Sequence, residues 1–178
     1  MGVLTNDTQS IERQQSQATI GARLIGGLGF DYAFAVLAAI FVGGLFLDGW
    51  AHNHGRVDDS FFTPWHAFFY GGFALTALFL LGTAGINRVR SATWRLAIPA
   101  GYGLALIGSA VFAAGGVGDL VWHTLFGIEE DFEALVSPTH LMLGVGMALV
   151  VTGPLRAAWW RSGSRGWRDL APALVSGT

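Results

Sequence analysis

Residues Leu28–Trp50 read LGFDYAFAVLAAIFVGGLFLDGW, and within this run only Asp31 and Asp48 are charged. A helix needs about 20 mainly apolar residues to cross a bilayer core of about 30 Å, so the run predicts a membrane-spanning helix. Three runs of similar length follow. The four predicted spans are Leu28–Trp50, His66–Ile86, Leu96–Leu120 and His140–Trp160. Pro99 and Pro154 are expected inside spans, where neighbouring groups satisfy the backbone that proline interrupts.

The composition agrees with a membrane protein. The chain has 178 residues, of which 52% are hydrophobic and 12% charged, and its mean hydropathy is +0.50. A soluble domain carries about 25% charged residues. The sequence contains neither lysine nor cysteine, and its formal net charge is -2. These values exclude disulfides and thiolate metal ligands and give no reason to expect a nucleic-acid partner.

The positions of the arginines predict the topology. Nine of the ten lie before the first span, between the second and third, or at and after the end of the fourth, and only Arg56 lies elsewhere. Since positively charged loops stay on the cytoplasmic side, both termini of this multi-pass protein of the cell's inner or plasma membrane are predicted to be cytoplasmic. The predicted organisation is a polar cytoplasmic tail (1–20), a transmembrane domain (21–160) and a cytoplasmic tail (161–178).

The two loops predicted on the other side share a motif. The first reads Asp48-Gly-Trp-Ala-His52, a polar loop and Pro64-Trp-His66, and the second reads Asp119-Leu-Val-Trp-His123, an acidic loop and Pro138-Thr-His140. Because the motif recurs at the same place in each hairpin, we interpret the chain as a duplicated two-helix hairpin. Repeat one covers about 28–86 and repeat two about 96–160, which together predict an all-α bundle of four transmembrane helices.

The spacing within the motif is typical of metal ligands. An Asp and a His four residues apart lie on one helix face, about 6 Å apart along the axis. Proline favours the first turn of a helix, so His66 and His140 are expected to begin the second helix of each hairpin. One carboxylate and two imidazoles then meet at one point, a set suited to copper, iron or zinc. A hydrogen-bonded helix end is the alternative for a single Asp-His pair, and the repetition favours the metal.

Other residues near the motif have less specific patterns. Glu130 and Glu133 are candidate additional metal ligands, with a solvated acidic loop as the alternative. Three interpretations apply to His54, Asp58 and Asp59, which are additional metal ligands, a metal-entry patch or part of a solvated loop. Candidates to line an apolar substrate pocket are Phe61, Phe62, Phe68, Phe69 and Phe126. Asp31 lies about 25 Å before Asp48 along a helix and is assigned to the opposite interface.

The pattern Asp48-x3-His52-x13-His66 followed by Asp119-x3-His123-x16-His140 resembles the copper-ligand pattern of one protein family. This is the C subunit of the copper membrane monooxygenases, which oxidise methane, ammonia or short alkanes. The resemblance covers roughly Phe46 to Gly144, and Asp119 stands where that subunit has asparagine. It implies copper ligation by both triads, with dioxygen and a small apolar substrate as reactants. We interpret the chain as a distant, shorter relative that works alone, as a homo-oligomer or with partner membrane subunits.

Three function classes follow. The favoured hypothesis is a copper-dependent, monooxygenase-like oxidoreductase with Asp48, His52 and His66 as the catalytic site, to which the bilayer delivers an apolar substrate. Iron and zinc are the alternative metals. The second hypothesis is a non-catalytic copper or zinc protein for binding, sensing or transport. The third is a zinc membrane hydrolase with Glu130 as the base.

Overall fold

The protein is helical throughout the part of the chain that the structure describes. This computed structural model describes residues 24–55, 61–91, 93–126, 136–161 and 166–177, and within these ranges it contains helices and no strand. The helices are α1 (Leu28–Asn53), α2 (Pro64–Arg90), α3 (Trp94–Ala97), α4 (Gly103–Phe126), α5 (Pro138–Val151), α6 (Gly153–Trp160) and α7 (Trp167–Gly177). The predicted all-α fold class is confirmed.

Four stretches are long and apolar enough to cross a membrane: Leu28–Asn53, Pro64–Arg90, Gly103–Phe126 and Pro138–Trp160. Their outward faces are apolar as well. Val36, Leu78 and Val117, for example, are each at least 60% exposed. A surface of this kind is stable in lipid and unfavourable in water, so the bundle is that of a multi-pass membrane protein.

The third predicted span, Leu96–Leu120, was placed wrongly at its start. The chain forms the single turn α3, leaves the helix after Ala97 and begins α4 only at Gly103. Pro99 therefore lies between helices and not inside a span, because proline disfavours helical backbone at the residue before it. A turn follows in which Gly101 has φ +90°. A Cβ atom there would lie 2.5 Å from the backbone nitrogen of Ala157, so this close approach to α6 also requires glycine.

The fourth span is interrupted near Pro154. Helix α5 ends at Val151, and α6 begins at Gly153 with proline in its first turn. Beyond the span, the segment predicted as a cytoplasmic tail contains helix α7. Tyr32 of α1 donates a hydrogen bond of 2.7 Å to the carbonyl of Arg168, which fixes α7 against the first helix.

The helices of each hairpin approach closely through glycine. A Cβ atom on Gly44 would lie 2.8 Å from the Cα of Phe69, and one on Gly72 would lie 2.9 Å from the Cα of Phe41. In the second hairpin, a Cβ atom on Gly146 would lie 2.6 Å from the backbone nitrogen of Phe112. These contacts bring the end of α1 to the start of α2, and the end of α4 to the start of α5. They agree with the duplicated-hairpin interpretation, which stays a prediction.

Aromatic side chains form the core next to these contacts. The ring of Phe41 lies 5.5 Å from Phe69, 5.6 Å from Phe73 and 4.9 Å from Phe112, measured between centroids. The buried hydroxyls of Thr76 and Ser109 donate to carbonyls of their own helices. The middle of the bundle is therefore tightly packed and its buried hydroxyls are satisfied locally.

A buried ion pair closes the end of the bundle opposite the repeated motif. Asp31 is 1% exposed, pairs with Arg161, and accepts a hydrogen bond of 2.7 Å from the hydroxyl of Tyr102. Burial, with this hydrogen bond, raises the pKa of Tyr102, so the phenol stays protonated as a donor. The expectation that Asp31 lies away from the motif is confirmed, and the cluster joins α1 to the start of α4 and the end of α6.

Candidate metal centre

The last turns of α1 and the first turn of α2 bring the first triad together. Thr63 caps α2 by accepting a hydrogen bond of 3.1 Å from the backbone nitrogen of His66, and Pro64 occupies the first turn. Oδ2 of Asp48 lies 3.4 Å from Nε2 of His66 and 3.9 Å from Nε2 of His52. Asp48 and His66 are both buried, each being 8% exposed.

A backbone carbonyl fixes the orientation of the His66 ring. Nδ1 lies 2.6 Å from the carbonyl oxygen of Phe61, and since a carbonyl only accepts, Nδ1 is the donor. In a neutral imidazole, Nε2 then carries the lone pair. This lone pair and the Asp48 carboxylate face each other, an arrangement that a shared cation stabilises. A carbonyl on the far nitrogen is also the usual second partner of a metal-ligating histidine.

The second triad has the same construction. Ser137 caps α5 by accepting a hydrogen bond from the backbone nitrogen of His140, and its hydroxyl lies 2.7 Å from Nδ1 of that side chain. Oδ1 of Asp119 lies 3.5 Å from Nε2 of His123 and 3.6 Å from Nε2 of His140. Asp119 is 2% exposed.

Three of these separations, 3.4–3.6 Å, are close to those within a metal site, and the 3.9 Å between Asp48 and His52 is longer. In a tetrahedral site with bonds of about 2.0–2.1 Å, ligand atoms lie about 3.3–3.4 Å apart. In each triad, one ligand atom per residue can be chosen so that all three lie within 4.8 Å of one another. The prediction that each hairpin brings one carboxylate and two imidazoles together is confirmed, and each group can hold a metal ion.

The two carboxylates differ in their remaining contacts. Oδ2 of Asp119 accepts a hydrogen bond of 3.3 Å from the hydroxyl of Tyr70, and Oδ1 accepts one of 3.2 Å from Thr139. Oδ1 of Asp48 is buried and has no hydrogen-bond partner within the part of the chain that the structure describes. A buried carboxylate oxygen without a partner is unfavourable, and a bound cation would satisfy it.

A cavity of about 160 Å³ is lined by both triads. Its polar lining consists of Asp48, His66, Asp119, His140 and Tyr70, and its apolar lining of Leu45, Phe69, Leu143, Gly144 and Met147. Two candidate metal sites therefore share one space with apolar walls.

A second cavity, of about 450 Å³, lies on the loop side of His66. Its lining includes Phe61, Phe62 and Pro64 as well as His66 and Tyr70. The prediction that phenylalanines lie near the ligands holds for Phe61 and Phe62 here and for Phe69 in the smaller cavity. Phe126 instead packs on Trp122, with ring centroids 4.7 Å apart.

The remaining candidates lie apart from the triads or outside the described residues. His54 lies 2.8 Å from the carbonyl of Trp50 and stacks on its indole, and it belongs to neither ligand group. Outside the described residues lie Asp58, Asp59, Glu130 and Glu133.

Sequence reasoning missed Tyr70 and Thr139. Tyr70 follows His66 by four residues and so lies on the same helix face, a spacing that could have drawn attention to it. Thr139 is the middle residue of Pro138-Thr-His140, and no pattern distinguishes it from Trp65 in the first hairpin.

Comparison of the chain with protein-family models, with curated proteins and with solved structures returned no match. The fold and the site alone define the class of this protein. It is a multi-pass membrane protein with two Asp/His/His groups, each able to hold a metal ion.

Proposed function

We propose that the protein is a copper-dependent membrane oxidoreductase in which the two triads bind the metal and the adjoining cavity holds a small apolar substrate. The observation that carries this proposal is the shared cavity, because it joins two preformed ligand sets to apolar walls. Sites that bind small molecules combine apolar walls with a few convergent polar groups in this way.

Copper is the proposed metal on two grounds. Imidazole and carboxylate ligands suit copper, iron and zinc, and the spacing of the ligands resembles the copper pattern of the C subunit of the copper membrane monooxygenases. Bound copper supplies the ability to activate dioxygen. The chain's own residues that would hold the metal are Asp48, His52 and His66, and Leu45 and Phe69 give the cavity beside them apolar walls.

The membrane provides the setting for this chemistry. We propose the inner or plasma membrane, with both termini cytoplasmic and the triads near the extracytoplasmic face, because nine of ten arginines lie on the other side. Lipid solvates the outer surface and supplies the apolar substrate. We propose that the chain works as a homo-oligomer or with partner membrane subunits, and that an external reductant supplies the electrons.

Metal capture without chemistry is the second candidate. His52 and His140 keep 32% and 29% of their side chains exposed, so ions can reach both triads from solvent. Transport through the bundle has less support, because aromatic rings fill the core beside the triads and the buried hydroxyls there are bound to their own helices.

Metal analysis coupled to dioxygen uptake tests the proposal. The full chain, purified in lipid nanodiscs, is expected to hold copper and to consume dioxygen when a reductant and a short alkane are supplied. The double variant His52→Ala, His123→Ala is expected to lose both properties while remaining inserted, since insertion depends on the apolar spans. His54→Ala is the matched control and is expected to behave like the parent.

The outcomes separate the candidates. Copper without dioxygen uptake would identify a metal-binding protein. Full copper content in the double variant would refute metal binding by the triads.

A further inference from the structure

The two triads differ at one position of their second helices. Tyr70 stands four residues after His66 in α2, and Gly144 stands four residues after His140 in α5. The tyrosine extends across the bundle to Asp119, because Gly116 of α4 leaves room for it. A Cβ atom on Gly116 would lie 2.9 Å from the Tyr70 ring.

The corresponding space beside Asp48 is open. Among the described residues, no atom from elsewhere in the fold lies within 4 Å of the Cβ position of Gly144, and Leu45 lines the same cavity from α1. Asp119 thus has hydrogen bonds on both carboxylate oxygens, whereas Asp48 has a buried oxygen with no partner.

The open space reaches the outer surface of the bundle. Gly144 is exposed, and Leu45 is 41% exposed. They lie six and eight residues from the nearest helix ends, or about 9–12 Å at 1.5 Å per residue. The mouth between them therefore faces lipid and not the aqueous boundary.

We propose that the first triad is an open metal site which small apolar molecules reach from the bilayer between Leu45 and Gly144, and that Tyr70 closes the second triad to such ligands. The inference rests on the proposed function, since it requires metal in the triads. It assigns different roles to the two sites. Metal at Asp48, His52 and His66 accepts an external ligand, and metal at Asp119, His123 and His140 does not.

The chemistry of the mouth defines the ligand class. Leucine and glycine at the entrance, with Leu143 and Met147 behind them, favour small uncharged molecules that dissolve in lipid, such as dioxygen or a short hydrocarbon. A charged or strongly hydrated molecule would lose its hydration in this passage without gaining hydrogen bonds.

Tyr70 acts in this scheme as a positioning residue. Its hydroxyl donates a hydrogen bond to Oδ2 of Asp119, so a metal ion in this triad would be held through Oδ1, the oxygen that lies next to both histidines. Its ring lines the shared cavity next to Asp119 and takes up room that a ligand at the second triad would need.

Carbon monoxide is a suitable probe, because it is small, apolar and lipid-soluble and binds reduced copper with a distinctive infrared stretching band. The full chain in nanodiscs is loaded with copper, reduced and titrated with carbon monoxide. We expect one molecule bound per chain. Gly144→Leu is expected to abolish the band with both copper ions retained, and Leu45→Phe to weaken binding at least tenfold.

Two further variants complete the experiment. Gly43→Leu is the matched control, since Gly43 is exposed on α1 with no atom from elsewhere in the fold within 4 Å of its Cβ position, and it is expected to bind like the parent. Tyr70→Ala is expected to add a second infrared band, a gain that a purely structural role of the tyrosine would not produce.

The outcomes are decisive for each proposal. Three results would overturn the open-site inference alone. They are two equivalent bands in the parent, no band in the copper-loaded parent, and an unchanged band in both Gly144→Leu and Leu45→Phe. Loss of copper in both variants would also count against it, because the cavity would then be part of the metal's own surroundings. A parent that binds no copper overturns this inference and the proposed function together.

Discussion

Substitution of Gly44 by alanine is expected to weaken metal binding at the first triad without touching a ligand. The added Cβ would lie 2.8 Å from the Cα of Phe69. The position of this Cβ is fixed by the backbone of α1, and the Cα of Phe69 is part of the backbone of α2, so no side-chain rotation can relieve the contact. Ordinary contacts begin at 3.4 Å, so α1 and α2 must separate locally by about 0.6 Å, the smallest shift that relieves the overlap.

The separation acts directly on the ligands, because Gly44 lies one turn before Asp48 and Phe69 lies one turn after His66. The distance of 3.4 Å between Oδ2 of Asp48 and Nε2 of His66 becomes about 4 Å, beyond the spacing of about 3.3–3.4 Å that a tetrahedral ion requires. When a metal ion draws Asp48 and His66 together again, the overlap between the added Cβ and Phe69 returns. Overpacking of this kind costs about 1–3 kcal/mol, which corresponds to a 5- to 150-fold loss of affinity.

A metal-binding isotherm measures the effect. Asp119→Ala is used as the background, so that only the first triad titrates. Gly43→Ala is the matched control, since its Cβ meets no atom from elsewhere in the fold within 4 Å and it makes the same change in helix propensity one residue away. If Gly44→Ala and Gly43→Ala gave the same affinity, the argument that helix spacing sets the ligand distance would be refuted.

Three further predictions follow from the described contacts. Tyr70→Phe is expected to weaken metal binding at the Asp119 site about 10- to 100-fold and to change the visible spectrum of the cobalt(II)-loaded protein. Tyr102→Phe removes a buried tyrosine hydroxyl elsewhere and is expected to leave both the affinity and the spectrum unchanged. Identical cobalt(II) spectra for Tyr70→Phe and the parent would contradict this prediction. Arg161→Ala is expected to destabilise the bundle by about 1–3 kcal/mol in thermal unfolding, less than for a fully buried pair because its side chain is 33% exposed, and adding Asp31→Asn should restore stability. Acidification below about pH 6 is expected to release the metal, because imidazoles must be deprotonated to bind; metal retained through gel filtration at pH 4 would argue against histidine ligands.

Much of the fold could be predicted from hydropathy alone. Spanning helices are long and strongly apolar, so their existence depends little on tertiary detail. Their ends depend on local backbone chemistry, and the third span shows the limit. The run from Leu96 is apolar enough to continue a helix, yet Pro99 and the left-handed Gly101 place the start of α4 at Gly103.

The ligand sets could be predicted because both of their determinants are local. The i, i+4 spacing places Asp48 and His52 on one face, and proline places His66 in the first turn of the returning helix. The contact between Tyr70 and Asp119 joins residues 49 apart, and it depends on how α2 is rotated against α4. No periodic pattern in the sequence encodes that rotation, so the difference between the two sites emerged only from the packed structure.

The buried pair of Asp31 and Arg161 has a consequence for biogenesis. The two residues are 130 positions apart, so the ribosome releases the carboxylate of the first span long before its partner has been made. Asp31 lies in the first turn of α1, near the headgroups, where a charge costs less than the about 2.5–3.5 kcal/mol that insertion scales give for the centre of a membrane helix. The carboxylate can therefore stay hydrated near the headgroups until Arg161 has been made and pairs with it. The pair forms only after the fourth span has been made, so a chain that stops before Arg161 leaves Asp31 without this partner.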